Sequence, residues 1–243
     1  MKRDFNTLFD KWRNRERHIN NANDLKDGGP FVEDGAMNES KWEKADLKIL
    51  FLLKEAHNAT NWNQKHPHNL CERIKDKWDQ KGYEMWFHLA QWAYGLRKLR
   101  QEGDVSPYPV KDNHKYTEDW VSVEKELEDS FLSCAVVNIK KSGGTSTSTK
   151  KDLLPYVIED WEAFIWPQIQ DLNPDVIVCG GTWEGLIQKH LKSKWSKEYE
   201  WVYKHNDKYF IDFWHPASRH SNKLNYYSLC TVIRMSGILS DKG

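Results

Sequence analysis

Lys48-Ile49-Leu50-Phe51-Leu52-Leu53-Lys54-Glu55-Ala56-His57-Asn58 is the stretch that decides the fold. An apolar run passes directly into charged and hydrogen-bonding residues. An unbroken run of this length suits a strand covered on both faces, as in a parallel sheet. In open α/β sheets, ligands bind outside the carboxyl ends of such strands, which puts Glu55 where a ligand would sit. A core strand followed by a solvated turn has the same appearance, so the stretch alone assigns no function.

Three later stretches repeat the pattern. Ser133-Cys134-Ala135-Val136-Val137-Asn138-Ile139 leads into Lys140, Lys141 and a Ser142-Gly143-Gly144-Thr145 turn. Asp175 to Cys179 ends at Gly180-Gly181-Thr182, and Tyr209 to Trp214 ends at His215-Pro216-Ala217-Ser218. Short strands ending in polar or glycine residues, with helical patterns between them, predict a three-layer α/β/α sandwich. Its centre is expected to be a mainly parallel four-stranded sheet, and Tyr199 to Trp214 reads as a hairpin turning at His205-Asn206-Asp207.

Helical spacing of Phe5, Leu8, Phe9 and Trp12 predicts a helix near residues 4–19, and Trp86 to Leu96 carries a second stripe. Thr117 reads as the cap of a helix bearing Trp120, Val123 and Leu127. Thr149 with Asp152 reads as a capping box. Pro167 is expected to kink or divide the helix that follows. The Gly180-Gly181 pair is too short for a dinucleotide or P-loop fingerprint, and helix packing accounts for it. Residues from Tyr226 to Leu239 read as a closing helix. Neither a repeat nor a linker is visible, so 1–243 reads as one domain, with 1–45 as an N-terminal helix and loop packed on it.

The chain has 243 residues, 30% charged and 39% hydrophobic, with a formal net charge of zero. No apolar run is long enough to cross a bilayer, and Met1-Lys2-Arg3-Asp4 lacks a signal peptide's apolar core. A cytoplasmic monomer is expected, without membrane partners. Overall charge does not advertise nucleic acid, but Lys140, Lys141, Lys150 and Lys151 bracket a Ser/Thr/Gly-rich stretch that reads either as a phosphate-binding edge or as an ordinary solvated loop. Cys71, Cys134, Cys179 and Cys230 form no Cys-x-x-Cys pair, so neither zinc nor a cluster is expected. Of thirteen tryptophans most must be core, and exposed ones would be stacking platforms.

Glu55, Asn138 and His215 stand at strand ends and would converge in a parallel sheet. A carboxylate can orient a water, an amide can read a base edge, and an imidazole can stabilise an oxygen gaining negative charge. Each residue taken alone also suits a satisfied structural role.

In these stretches the sequence resembles the uracil-DNA glycosylase superfamily, from about residue 46 to 235. Lys54-Glu55-Ala56-His57-Asn58 stands where the family has a Gly-Glu-Ala-Pro-Gly-like turn. Val136-Val137-Asn138 matches a strand ending in Asn, Pro174 to Gly181 a Pro-Asp-Val-Ile-Val strand closed by glycine, and His215-Pro216-Ala217 the His-Pro-Ser motif. The resemblance implies a cleft that accepts a nucleotide flipped out of DNA, single- or double-stranded, and a hydrolysis that needs no cofactor or metal. Glu55 would activate water, Asn138 would read the base and His215 would stabilise the departing base. Lys54, His57, Asn58 and Trp62 would line the substrate site. Lys140, Lys141, Ser142, Gly143, Ser218 and Arg219 would touch the DNA strand. Arg219 stands at the usual place of an apolar wedge, with Leu224 further on.

Lys54, His57-Asn58 and Ala217 depart from the family pattern, which turns the expected substrate away from uracil toward a bulkier modified base, such as the glucosylated cytosine of phage DNA excised in defence. The alternative is a catalytically inactive DNA- or nucleotide-binding member of the same fold. Lys54 also admits a Schiff-base route, against which stands the simpler role of a salt bridge or phosphate contact.

Overall fold

The computed structural model describes residues 5–14, 31–57, 68–110, 120–144, 148–192 and 194–240. In chain order the elements are α1 (Asn6–Arg13), β1 (Gly35–Ala36), α2 (Glu39–Lys44), β2 (Ile49–His57), α3 (Leu70–Ile74), α4 (Glu84–Glu102), β3 (Tyr108–Val110), β4 (Trp120–Ser122), α5 (Glu124–Leu132), β5 (Ala135–Gly144) and α6 (Lys150–Asp160). A π-helical turn (Trp161–Ile165) leads to α7 (Trp166–Leu172) and β6 (Val176–Gly180). A second π turn (Trp183–Ile187) precedes α8 (Gln188–Leu191), β7 (Ser196–Tyr199), β8 (Val202–His205), β9 (Lys208–Phe213) and α9 (Asn222–Ser236).

Among the described residues, seven strands form the main sheet, in the order β1-β5-β2-β6-β9-β8-β7. The four strands read from the sequence, β5, β2, β6 and β9, are neighbours and run parallel. The expectation of four strands is corrected to seven, because β1 pairs antiparallel with β5 and the β8–β7 hairpin extends the other edge. The β8–β9 turn falls at Asn206-Asp207 as expected, with Asn206 in the left-handed region (φ 53°).

Each central strand is apolar on both faces. On β2, Ile49, Phe51 and Leu53 pack into one core while Leu50 and Leu52 pack into the other. On β6, Val176 and Val178 oppose Ile177 and Cys179 in the same way. The first core is closed by Leu89, Trp92, Ala93 and Leu96 of α4 and by Tyr226, Leu229 and Ile233 of α9. The second is closed by Leu153 and Val157 of α6, Ile169 of α7, and Phe9 and Trp12 of α1. Helices on both faces explain why these strands show continuous apolar runs rather than alternation. Among the described residues no helix is long and apolar enough to cross a membrane.

Two local readings change. The helix predicted from Thr117 through Leu127 starts later. Thr117 lies outside the described residues, Trp120–Ser122 is a strand paired with β3, and α5 begins at Glu124. The turn read at Ser142-Gly143-Gly144-Thr145 is, as far as Gly144, the last part of β5, and Lys140, Lys141 and Ser142 are buried there. The capping box holds: the Thr149 side chain accepts from the Asp152 backbone N–H, and Asp152 accepts from the Thr149 backbone N–H at 2.7 Å. Pro167 lies at the start of α7, directly after the π turn that interrupts the regular α-helical ladder between α6 and α7.

Candidate functional site

A cleft of ≈ 420 Å³ opens at the carboxyl ends of β2, β6 and β9. Lys54, Gly181, Asp212 and His215 contribute from the sheet side, Lys150 and Glu184 from the helix starts, and Trp201 and Trp214 form an aromatic wall. This is the crevice that the parallel topology creates.

His215 follows β9 directly. Gly180 and Gly181 let it come close. A Cβ on Gly180 would lie 2.7 Å from Leu53 and 3.2 Å from the Pro216 ring, and Gly181 adopts φ 69° beside the His215 backbone. The glycine pair therefore seats the His215-Pro216 turn rather than a helix, which corrects the sequence reading. His88 of α4 holds the same turn, its Nδ1–H donating to the Pro216 carbonyl at 2.7 Å. Burial lowers the His215 pKa to about 4, and the Lys54 ammonium adds to the effect. The ring is thus neutral at pH 7. Its Nδ1 accepts from the Ala217 backbone N–H at 3.2 Å. The proton must then sit on Nε2, which makes His215 a neutral hydrogen-bond donor.

Lys54 donates to the Ser148 carbonyl at 3.2 Å, and the Ser148 hydroxyl donates to Glu55 Oε1. Glu55 also pairs with Lys140 at 3.3 Å, and its side chain is 5% exposed. Its carboxylate lies over Gly144, where a Cβ would fall 1.7 Å from the Glu55 Cδ. A register shift between Glu55 and Ala56 accompanies this approach. Glu55 is therefore linked to the cleft through Ser148 but does not line it.

Asn138 stands apart. It is buried, and both its backbone N–H and its side-chain amide donate to Asp34 Oδ2, at 2.8 and 3.1 Å. Asp34 also pairs with the fully buried Lys141 and accepts from Gln168. Burial pushes the Lys141 ammonium below its ordinary pKa, and Asp34 opposes that. Lys140, Lys141 and Ser142 face protein rather than solvent, and Lys140 donates to the Gly143 carbonyl at 2.8 Å. Their reading as an exposed phosphate-binding edge is corrected, because the strand continues through them and acidic partners pair both lysines.

Ser218 and Arg219 lie just past His215. The Ser218 backbone N–H donates to the His215 carbonyl at 2.8 Å, and Arg219 is exposed. Leu224, in the first turn of α9, is 59% exposed. The backbone of His57 belongs to β2, while Asn58 and Trp62 lie outside the described residues.

Sequence reasoning missed Asp212, Glu184, Trp201 and Trp214 as cleft residues. Asp212 sits inside an apolar strand, and its neighbour Glu184 lies on a turn 28 positions earlier. Trp201 and Trp214 meet at 5.3 Å between ring centroids, and Trp214 packs on His220 at 5.0 Å. Trp201 has φ 62°, a costly conformation for a bulky residue that holds it against the cleft.

Fold and site together define an α/β protein with a cleft at the carboxyl edge of a parallel sheet core. Comparison of the chain with protein-family models, with curated proteins and with solved structures finds no match in any of the three.

Proposed function

We propose that this protein is a monofunctional DNA glycosylase that takes a modified or damaged base out of the DNA stack and hydrolyses its N-glycosidic bond. The observation that carries the reading is His215, a neutral Nε2–H donor just past β9, lining the same cleft as Lys54 in the carboxyl half of β2. Breaking a sugar–base bond develops negative charge on the base and positive charge on the sugar. A preformed donor at a base oxygen lowers that barrier at no reorganisation cost. Lys54 and Lys150 supply positive charge for a phosphate, and Trp214, 37% exposed, offers a ring on which a base can stack. Exposed Leu224 is suited to fill the space an extruded base leaves.

For this aromatic-walled cleft the substrate we favour is a glucosylated cytosine of phage DNA, a bulky modified base. A second reading is supported by Glu55, ion-paired and nearly covered, and by Asn138, held in the interior: a member of the fold that binds DNA or a nucleotide without cleaving it. The test is incubation with duplexes carrying uracil or glucosylated 5-hydroxymethylcytosine, scored for abasic sites. His215→Ala should lower the rate by about 100-fold, the scale of losing one such donor. Tight, salt-sensitive DNA binding with no abasic site on either duplex would favour the silent member.

A further inference from the structure

Asp212 and Glu184 are carboxyl groups of the cleft, and Asp212 is the one carried on the sheet, on β9 one position before the last residue of the strand and three before His215. It follows Phe210 by two positions on β9, so its side chain leaves the sheet on the face covered by α6 and the second π turn. Titratable and charged groups face it from every neighbouring element. Glu184 lies at the π turn and Lys150 at the start of α6, Cys179 is opposite on β6, and Tyr203 is on β8. Lys54 and His215 share the cleft. Lys150 is partly neutralised by Glu184, at 3.1 Å. Burial and the Glu184 charge together raise the Asp212 pKa to about 6, against the Glu184 backbone hydrogen bond and Lys150.

We propose that Asp212 is the proton donor of this cleft and that the base it serves is an amino-bearing one, of the cytosine or purine class. The inference rests on the glycosidase reading above. Uracil can depart as a delocalised anion with only a hydrogen bond to its oxygen. An aminopyrimidine or purine anion is a poorer leaving group and departs once protonated. In the step, the C1′–N bond breaks and its electron pair goes to the base. The Asp212 carboxyl proton passes to a ring nitrogen or oxygen of that base. The oxygen of one water bonds C1′, and the proton that water gives up returns through solvent to the Asp212 carboxylate. The products are an abasic sugar and a neutral base, and no oxidant or other reactant is consumed. His215 keeps its donor role, since its neutral ring holds its own proton on Nε2.

The test compares wild type, Asp212→Glu, Asp212→Asn and Glu184→Gln on duplex DNA carrying glucosylated 5-hydroxymethylcytosine or uracil, scored by abasic sites from pH 4 to 9. Carboxyl ¹³C NMR follows Asp212 in the same proteins. Asp212 should titrate above the usual carboxylate range in wild type and lower in Glu184→Gln, whose substituted side chain is 74% exposed and no threat to folding. The wild-type rate should fall as pH rises through that titration, and the fall should begin at lower pH in Glu184→Gln. Asp212→Asn should lose at least about 100-fold in kcat with KM changed little, and Asp212→Glu should recover part of it. An Asp212 that titrates in the ordinary range, or an Asp212→Asn protein with wild-type kcat, overturns the proton-donor assignment and leaves the glycosidase reading standing. Excision of uracil with none of the amino-bearing base overturns the substrate class. A wild-type protein that releases neither base overturns the glycosidase reading and this inference with it.

Discussion

At His215 and Asp212, three residues apart, burial disfavours charge at both and so shifts their pKa values in opposite directions. For His215 the folded pKa of about 4 lies below the ordinary 6.5. Between those values the unfolded chain binds more protons, so this residue contributes stability that is lost as pH falls from 6.5 toward 4. For Asp212 the folded pKa of about 6 lies above the ordinary 3.8. Here the folded chain binds more protons, and stability falls as pH rises from 3.8 to 6. Asp212→Asn removes that second cost. We expect it to stabilise the protein at pH 8 by about 1 kcal/mol, after discounting for a partly solvated site, and to be nearly neutral at pH 4. Urea midpoints at the two pH values check this, and equal shifts at both would contradict it.

At the scale of elements, the start of α6 joins the parts of the site. Ser148 joins Lys54 and Glu55 just before the Thr149 cap, and Lys150 follows it into the cleft. Thr149→Ala removes the side-chain half of the capping box and should cost about 1 kcal/mol. Hydrogen exchange in the first turn of α6 should rise, while the sheet stays protected. At the end of β5, Gly144→Ala drives a methyl into the Glu55 carboxylate. About 1–3 kcal/mol should be lost, and the Lys140–Glu55 pair displaced, as urea unfolding and a crystal structure would show. The capping box was legible, since Thr149 and Asp152 are close in sequence. The Glu55–Gly144 contact was not, since it depends on two strands lying side by side in one register.

At the scale of the whole molecule, the Lys141–Asp34 pair ties the N-terminal segment to the sheet. Both side chains are fully buried, and Lys141 lies over the Trp12 ring at 4.8 Å. Lys141→Met leaves Asp34 charged in the interior with hydrogen bonds but no cation, which should cost about 3–5 kcal/mol. The double variant Lys141→Met with Asp34→Asn removes both charges and should cost less than the single one. Denaturant unfolding of the two decides it, and additive losses would show that the residues do not act as a pair.

What the chain determined alone was the sheet core. Burial on both faces demands near-continuous apolar strands, and Ile49 to Leu53, Ala135 to Val137, Val176 to Cys179 and Phe210 to Phe213 carry that demand locally. Their polar ends therefore marked the rim where Lys54 and His215 meet. Only the tertiary structure decided which charged groups face the cleft. Lys140, Lys141 and Asn138 resemble a solvated strand end until Asp34 and Glu55 approach from far along the chain and pair with them in the interior. Asp212 looks like an incidental acid within an apolar strand until the turn carrying Glu184 folds against it. A charge is set by its surroundings, and those surroundings are assembled from residues that one stretch of sequence does not contain.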